Sequence, residues 1–179
     1  MPQTIATTDN EVSVSKRIDK QTLSIHVKNE PGVLMRIAQV FARRAFNISS
    51  LVVAESRDSQ FARMTIGLTG APEGFEQIIK QVSKLIDVIH CYEHTSDDSV
   101  AKEMMMIKFL VPKSERTDAI NIIEHFGGRT VDLTHTSMIA LVIGESTVVD
   151  SALEMLSQFE IIEVIRTGQV VMARGEAST

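Results

Sequence analysis

The sequence predicts an α+β protein made of two tandem domains, each with the element order β-α-β-β-α-β. Two observations carry this. Period-two apolar alternation and helical apolar stripes follow one another in that order over residues 23–94, and after the polar stretch TSDDSVA the same order resumes at EMMMIKFLV. The repeat is structural, without evident copied sequence. The expected division is a flexible tail over 1–20, a first domain over 21–94, a linker over 95–101, a second domain over 102–175 and a flexible tail over 176–179.

In LSIHV, Leu23, Ile25 and Val27 share one face of a strand and Ser24 and His26 the other. Pro31 and Gly32 then lead into a helix from about Val33 to Arg44, with Leu34, Ile37, Ala38 and Phe41 as its apolar period. NISSLVVAES and FARMTIGLT are rich in strand formers, and SRDSQ between them reads as a hairpin connection. A second helix starts near Pro72, with Phe75, Ile78, Ile79, Val82 and Ile86 as its stripe, and the strand DVIHCYEH follows. Both helices on one face of a four-stranded antiparallel sheet would bury these stripes, leaving the other face to a cover or to solvent.

In the second domain, Ala119, Ile122, Ile123 and Phe126 mark a helix stopped by Gly127 and Gly128. TVDLT and MIALVIG give strands. Val148, Ala152, Met155, Leu156 and Phe159 mark the last helix, IIEVI the last regular strand, and QVVMA a short additional one. Two such modules expose sheet edges and partly apolar faces, so self-association to at least a dimer is expected. A side-by-side pair would bring the turn of one copy near Asn47 or Ile48 of another, making ligand occupancy sensitive to assembly.

With 44% hydrophobic residues the chain can form real cores, and with 18 basic against 23 acidic residues its net charge of -5 does not favour a nonspecific nucleic-acid surface. Arg43 and Arg44 fall on the polar side of a helix. Cys91 is the single cysteine, which excludes an internal disulfide and suits a reducing compartment. The N-terminal segment lacks a signal-peptide core, and no apolar run approaches the about 20 residues that span a bilayer. A cytoplasmic protein without membrane or nucleic-acid partners is expected.

The stretch from Asn29 to Ser50 carries the candidate site. A helix start near Val33 leaves first-turn amide hydrogens without intrahelical acceptors and attracts a carboxylate. Asn29 and Asn47 each offer a carbonyl and an amide, so an α-amino acid would satisfy both with its charged ends. Ordinary capping and turn chemistry at the two asparagines accounts for the same residues.

No reactive constellation competes with this site. His90 and His94 share one strand face while Cys91 points the other way, which is a poor arrangement for zinc. His125 sits at a helix end before two glycines, and His26 and His135 lack sequence partners that fix a mechanism. Asp97 and Asp98 adjoin in a polar stretch, and Met104, Met105 and Met106 suit packing. Neither a catalytic residue nor a metal site in this chain is expected.

The motifs NEPGVLMRI, FARRAFNISSL, ARMTI, KLIDVI, EMMMIKF, GGRTVDLT and TGQVVMARG together resemble the small regulatory subunits of acetolactate synthase (acetohydroxyacid synthase), over about 23–175. The first domain is similar to the ACT family. The resemblance implies two tandem ferredoxin-like ACT or ACT-like domains in a noncatalytic chain that activates a separate large catalytic subunit. It further implies feedback inhibition by a branched-chain amino acid, commonly valine, with leucine and isoleucine as alternatives. FAD, thiamine diphosphate and magnesium would belong to the large subunit. The effector residues it implies are Asn29, Gly32, Val33, Leu34, Asn47 and Ile48. The second domain lacks such a loop and would serve assembly or coupling, and Arg36, Gln39 and Arg43 form a further contact patch. A standalone ACT sensor or a structural interaction protein is the alternative.

Two positions depart from the family pattern. Ala45 stands where glycine is common at a helix exit, and Met35 where a smaller or hydroxyl-bearing residue is common. The first implies a left-handed alanine, the second a narrower pocket or altered water.

Overall fold

The computed structural model describes residues 19–94, 98–176 and 179. The expected tails fall mostly outside the described residues, as does Asp97. The first domain comprises β1 (Asp19–Lys28), α1 (Val33–Arg43), β2 (Asn47–Glu55), β3 (Phe61–Gly70), α2 (Phe75–Val82) and β4 (Val88–Glu93). The second comprises β5 (Ser99–Leu110), α3 (Arg116–His125), β6 (Arg129–Leu133), β7 (Ser137–Gly144), α4 (Ser146–Leu156) and β8 (Glu160–Ala173). Their antiparallel sheets have the orders β2-β3-β1-β4 and β6-β7-β5-β8, so the two domains share one topology, that of ferredoxin-like ACT-type units.

Leu23, Ile25 and Val27 are fully buried against Ile37, Phe41, Ile66, Leu68, Phe75 and Ile78, which closes the first core under its helices. Met105, Ile107 and Phe109 of β5 do the same in the second domain, against Ala119, Ile123, Val149, Ala152 and Leu156. Phe46 joins the first core. Its ring stands 4.9 Å from that of Phe75 and close to Gly70, where an added Cβ would come within 2.5 Å of it.

Four expectations are corrected. Ile86 is 86% exposed, because α2 ends at Val82 and the chain turns before reaching it. In α4 the buried stripe is Val149, Ala152 and Leu156. Met155 is half exposed there, since the helix starts at Ser146 in a phase that turns Val149 inward ahead of Val148. The expected linker is shorter, because Ser99, Val100 and Ala101 pair with Ala173, Met172 and Val171 and so belong to β5. QVVMA is no separate strand. It continues β8 past a bulge in which Thr167 and Gly168 oppose Met104, with Gly168 at φ 79°.

That bulge joins the domains. β8 runs against β2 and β3, and Gly168 lies so close to Ser50 that a Cβ there would overlap the serine side chain. Beside it, Thr22 Oγ1 of β1 donates to Gln169 Oε1 at 2.7 Å, and Gln169 Nε2 donates to Ser146 Oγ at 2.9 Å. Ser146 donates in turn to Glu103 Oε2 at 2.8 Å. Arg166 grips Glu103 through Nε and Nη2 at 2.5 and 3.0 Å and reaches Asp150 at 2.6 Å. Arg166 holds the nearly buried Glu103 carboxyl below the usual glutamate range, against the opposing effect of burial.

Candidate functional site

The turn between β1 and α1 is fixed by backbone bonds at both shoulders. Lys28 N–H donates to Asp87 O at 2.9 Å, and Asn29 N–H to Gln60 O at 2.8 Å. Asn29 Nδ2 donates to Ser59 O at 3.0 Å, which ties the turn to the β2–β3 hairpin and leaves Oδ1 as the amide's remaining polar end. Gly32 occupies the N-cap position of α1 in the left-handed region, φ 84°, and no side chain caps the helix start. Such a start offers backbone N–H groups and the positive end of the helix dipole to an anion.

The six expected site residues do not share a role within one chain. Val33 is 2% exposed and belongs to the core, whereas Leu34 and Met35, at 39% and 63%, project from the helix start. Asn47 and Ile48 open β2, and there the geometry departs from a single-chain site. Lys28 pairs with Phe61 and Asn47 with Thr69, so the turn and Asn47 lie at opposite ends of β3, whose paired positions are about 26 Å apart along the strand at 3.3 Å per residue. One chain therefore does not bring its turn and its Asn47 together. β2 is an edge strand, however, and it runs parallel to β1 because both are antiparallel to β3.

Sequence reasoning missed Arg36 and Asp87 as turn residues. Arg36 Nε pairs with Asp87 Oδ2 at 2.6 Å, and the Asp87 side chain is only 7% exposed. The guanidinium stands 3.3 Å from where a Cβ on Gly32 would lie. An aspartate among the apolar neighbours of LIDVI was the available signal, since a carboxylate in such a run needs a partner. Gln39 and Arg43, grouped with Arg36 as a contact patch, are exposed.

At its far end α1 closes with Phe46 N–H on Phe41 O and Ala45 N–H on Ala42 O, both 3.1 Å, with Ala45 at φ 57°. This is a Schellman motif with alanine in the left-handed position, as the departure from the family pattern implied. Its cost is sustained by Phe41 and Phe46, which are both buried.

A further cleft lies elsewhere. It is a cleft of about 980 Å³ between the domains, lined among others by Thr22, Ser50, Glu103, Arg166 and Gln169. None of the six expected residues lines it. Cys91 packs against the first core, and burial raises its thiol to about 11, so it stays protonated at neutral pH. His90 stacks between His26 and Tyr92 on the opposite sheet face. Among the described residues no group of three or more His, Cys, Asp or Glu converges to hold a metal, and no helix is long and apolar enough to cross a membrane.

Comparison with known proteins gives this geometry its context. Residues 23–90 match the AHAS small subunit-like ACT domain, and residues 102–175 match the family described as small subunit of acetolactate synthase. A probable acetolactate synthase small subunit from Methanothermobacter thermautotrophicus is 41% identical over 158 residues, covering 88% of this chain and 94% of that protein. The chain belongs to the acetolactate synthase small-subunit family. The acetolactate synthase small subunit of Mycobacterium leprae is 34% identical, over 86% of this chain and 91% of its own. The crystal structure of the Thermotoga maritima small subunit superposes with a TM-score of 0.78 at 32% identity, covering 89% of this chain and 99% of that one. Membership in this family fits a regulatory subunit that works beside a catalytic one.

Proposed function

We propose that this small subunit activates the large catalytic subunit of acetolactate synthase and carries its feedback inhibition, by binding valine or another branched-chain amino acid in the first domain. The observation that carries the site is the uncapped start of α1 beneath left-handed Gly32. A carboxylate there gains about 0.3–1 kcal/mol from the helix dipole, and more when partly buried. Gly32 admits close backbone approach, and the free Oδ1 of Asn29 can accept from the ammonium group.

The second wall comes from another copy of the chain. If two β2 edges pair antiparallel about a two-fold axis, the start of one strand meets the end of the other. Asn47 and Ile48 of each copy then approach the turn of its neighbour. The exposed edge residues Leu51 and Val53, 37% and 47% accessible, supply apolar contact for that pairing. Leu34 and Ile48 offer apolar surface to a branched side chain, and one methylene changes affinity by only about 1–3 kcal/mol, so valine, leucine and isoleucine compete for one site. Thiamine diphosphate, FAD and magnesium belong, in this account, to the large subunit.

Reconstitution with the large subunit tests this. Acetohydroxy-acid formation should rise when the chain is added and fall when valine follows. With Gly32→Asp, which places a carboxylate beside the proposed ligand carboxylate, activation should persist and the valine response should vanish. A verified complex showing neither activation nor a valine response would leave a structural interaction role instead.

A further inference from the structure

Side chains alternate along a strand, so Ile48 and Ser50 of an unbroken β2 would point to the same side of the sheet. They do not. Ile48 pairs with Leu68 and Ser50 with Gly67, consecutive residues of β3, because the register shifts between them in a bulge at Ser49. Ile48 therefore packs against the first core on the helix side, while Ser50 stands on the face away from the helices, where β8 of the second domain meets it. Two glycines make room for its side chain. A Cβ on Gly67 would come within 2.4 Å of Ser50 Oγ, and one on Gly168 within 2.4 Å of Ser50 Cβ.

The second domain holds its side of this contact firmly. Gly168 lies in the β8 bulge, where Met104 N–H donates to Thr167 Oγ1 at 3.2 Å and the Thr167 hydroxyl donates to Gly168 O at 2.8 Å. Arg166, at the start of that bulge, is fastened to the nearly buried Glu103. A bulge of β2 thus meets a bulge of β8, and Ser49 alone separates Ile48 from the contact. We propose that Ser50 is a positioning residue for feedback inhibition, which conveys occupancy of the Asn47–Ile48 wall to the second domain through Gly168. This rests on the reading of Asn47 and Ile48 as one wall of the effector site. A ligand seated against them fixes the bulge at Ser49, and Ser50, packed against both glycines, passes any change in that bulge to β8. The neighbouring Thr22–Gln169 bond also crosses between the domains, but it leaves from β1, which supplies none of the six effector residues.

The test uses the full chain reconstituted with the large subunit. Ser50→Gly empties the space between the two glycines and leaves Gly32, Asn47 and Ile48 in place. Calorimetry should still show valine binding and activation should persist, while inhibition at saturating valine should weaken at least about fivefold, the lower end of typical coupling between sites. Gly168→Ala crowds Ser50 from the second domain and should likewise weaken inhibition with valine still bound. In the double variant Ser50→Gly, Gly168→Ala the new methyl group enters the vacated space from the other side, so inhibition should recover, which a general loss of stability would not produce. Full inhibition in both single variants would overturn the coupling role and leave the effector site standing. Loss of valine binding in Ser50→Gly, with folding verified, would make Ser50 part of the effector wall and end the proposal, as would a double variant no better than its parents. A wild-type chain that binds no valine would instead remove the effector reading, and this coupling role with it.

Discussion

Replacing Ala45 by glycine should stabilise the first domain, a rare direction for a single substitution. Ala45 closes α1 at φ 57°, where its Cβ crowds the following carbonyl and costs an L-residue about 1–2 kcal/mol. Glycine removes that strain but gains unfolded-state freedom worth about 0.4–1 kcal/mol. Because Ala45 is exposed, loss of its methyl group forfeits no packing. The net gain is about 0.5 kcal/mol, which raises the melting temperature of a domain of this size by about 2–4 °C. Differential scanning calorimetry or urea denaturation followed by circular dichroism reads it. Ala45→Val is the opposite control, since a β-branched side chain in the left-handed region is more strained than alanine. A glycine variant that melts at or below the wild-type temperature would refute the assignment of strain to this helix exit.

Three further outcomes follow from the contacts described. Folding favours the ionised form of Glu103 through Arg166, so its contribution is complete above the ordinary glutamate value of about 4.3 and is lost as pH falls through the lowered folded value. Urea midpoints at about pH 7 and about pH 3 should show that loss in wild type and a smaller one in Glu103→Gln, while Glu103→Ala should cost about 2–3 kcal/mol at neutral pH. Gly168→Val should separate the domains, because its side chain would overlap Ser50 and β-branching does not suit φ 79°; limited proteolysis should become faster between them, and unchanged cleavage would contradict the close approach. Asn29→Ala removes the bond to Ser59 O and the Oδ1 acceptor together, so calorimetry should show valine binding weakened by about 1–3 kcal/mol with assembly retained, whereas an unaltered titration would place the effector elsewhere.

Both core stripes and the strand order were legible because burial imposes strict periods on sequence. Leu23, Ile25 and Val27 had to share a face, and Phe75, Ile78 and Val82 a helix side. Ile86 misled because its spacing continues the stripe of α2, while Ser83 N–H and Leu85 N–H bond to the last-turn carbonyls of Ile79 and Val82 and turn the chain away. The bulge at Thr167 and Gly168 was illegible, since its cause is the nearness of Ser50, about 120 positions earlier in the chain. The candidate site divides the same way. Gly32 and the helix start could be read locally, and the left-handed Ala45 followed from comparison with the family pattern. The distance between Asn29 and Asn47 is set by the parallel course of β1 and β2, which no local motif encodes.

The shared site has one most direct test, in which two defective chains are made to complement each other. Chains carrying Gly32→Asp and chains carrying Asn47→Ala are co-expressed with different tags, the mixed pair is isolated, and valine is titrated by calorimetry. Each variant alone has a damaged wall in every site. In the mixed pair one site collects both defects and the other is intact, so wild-type affinity at half the wild-type stoichiometry is expected. A mixed pair that binds no more valine than its parents, with folding and pairing verified, would contradict a site built from the turn of one copy and the β2 start of another.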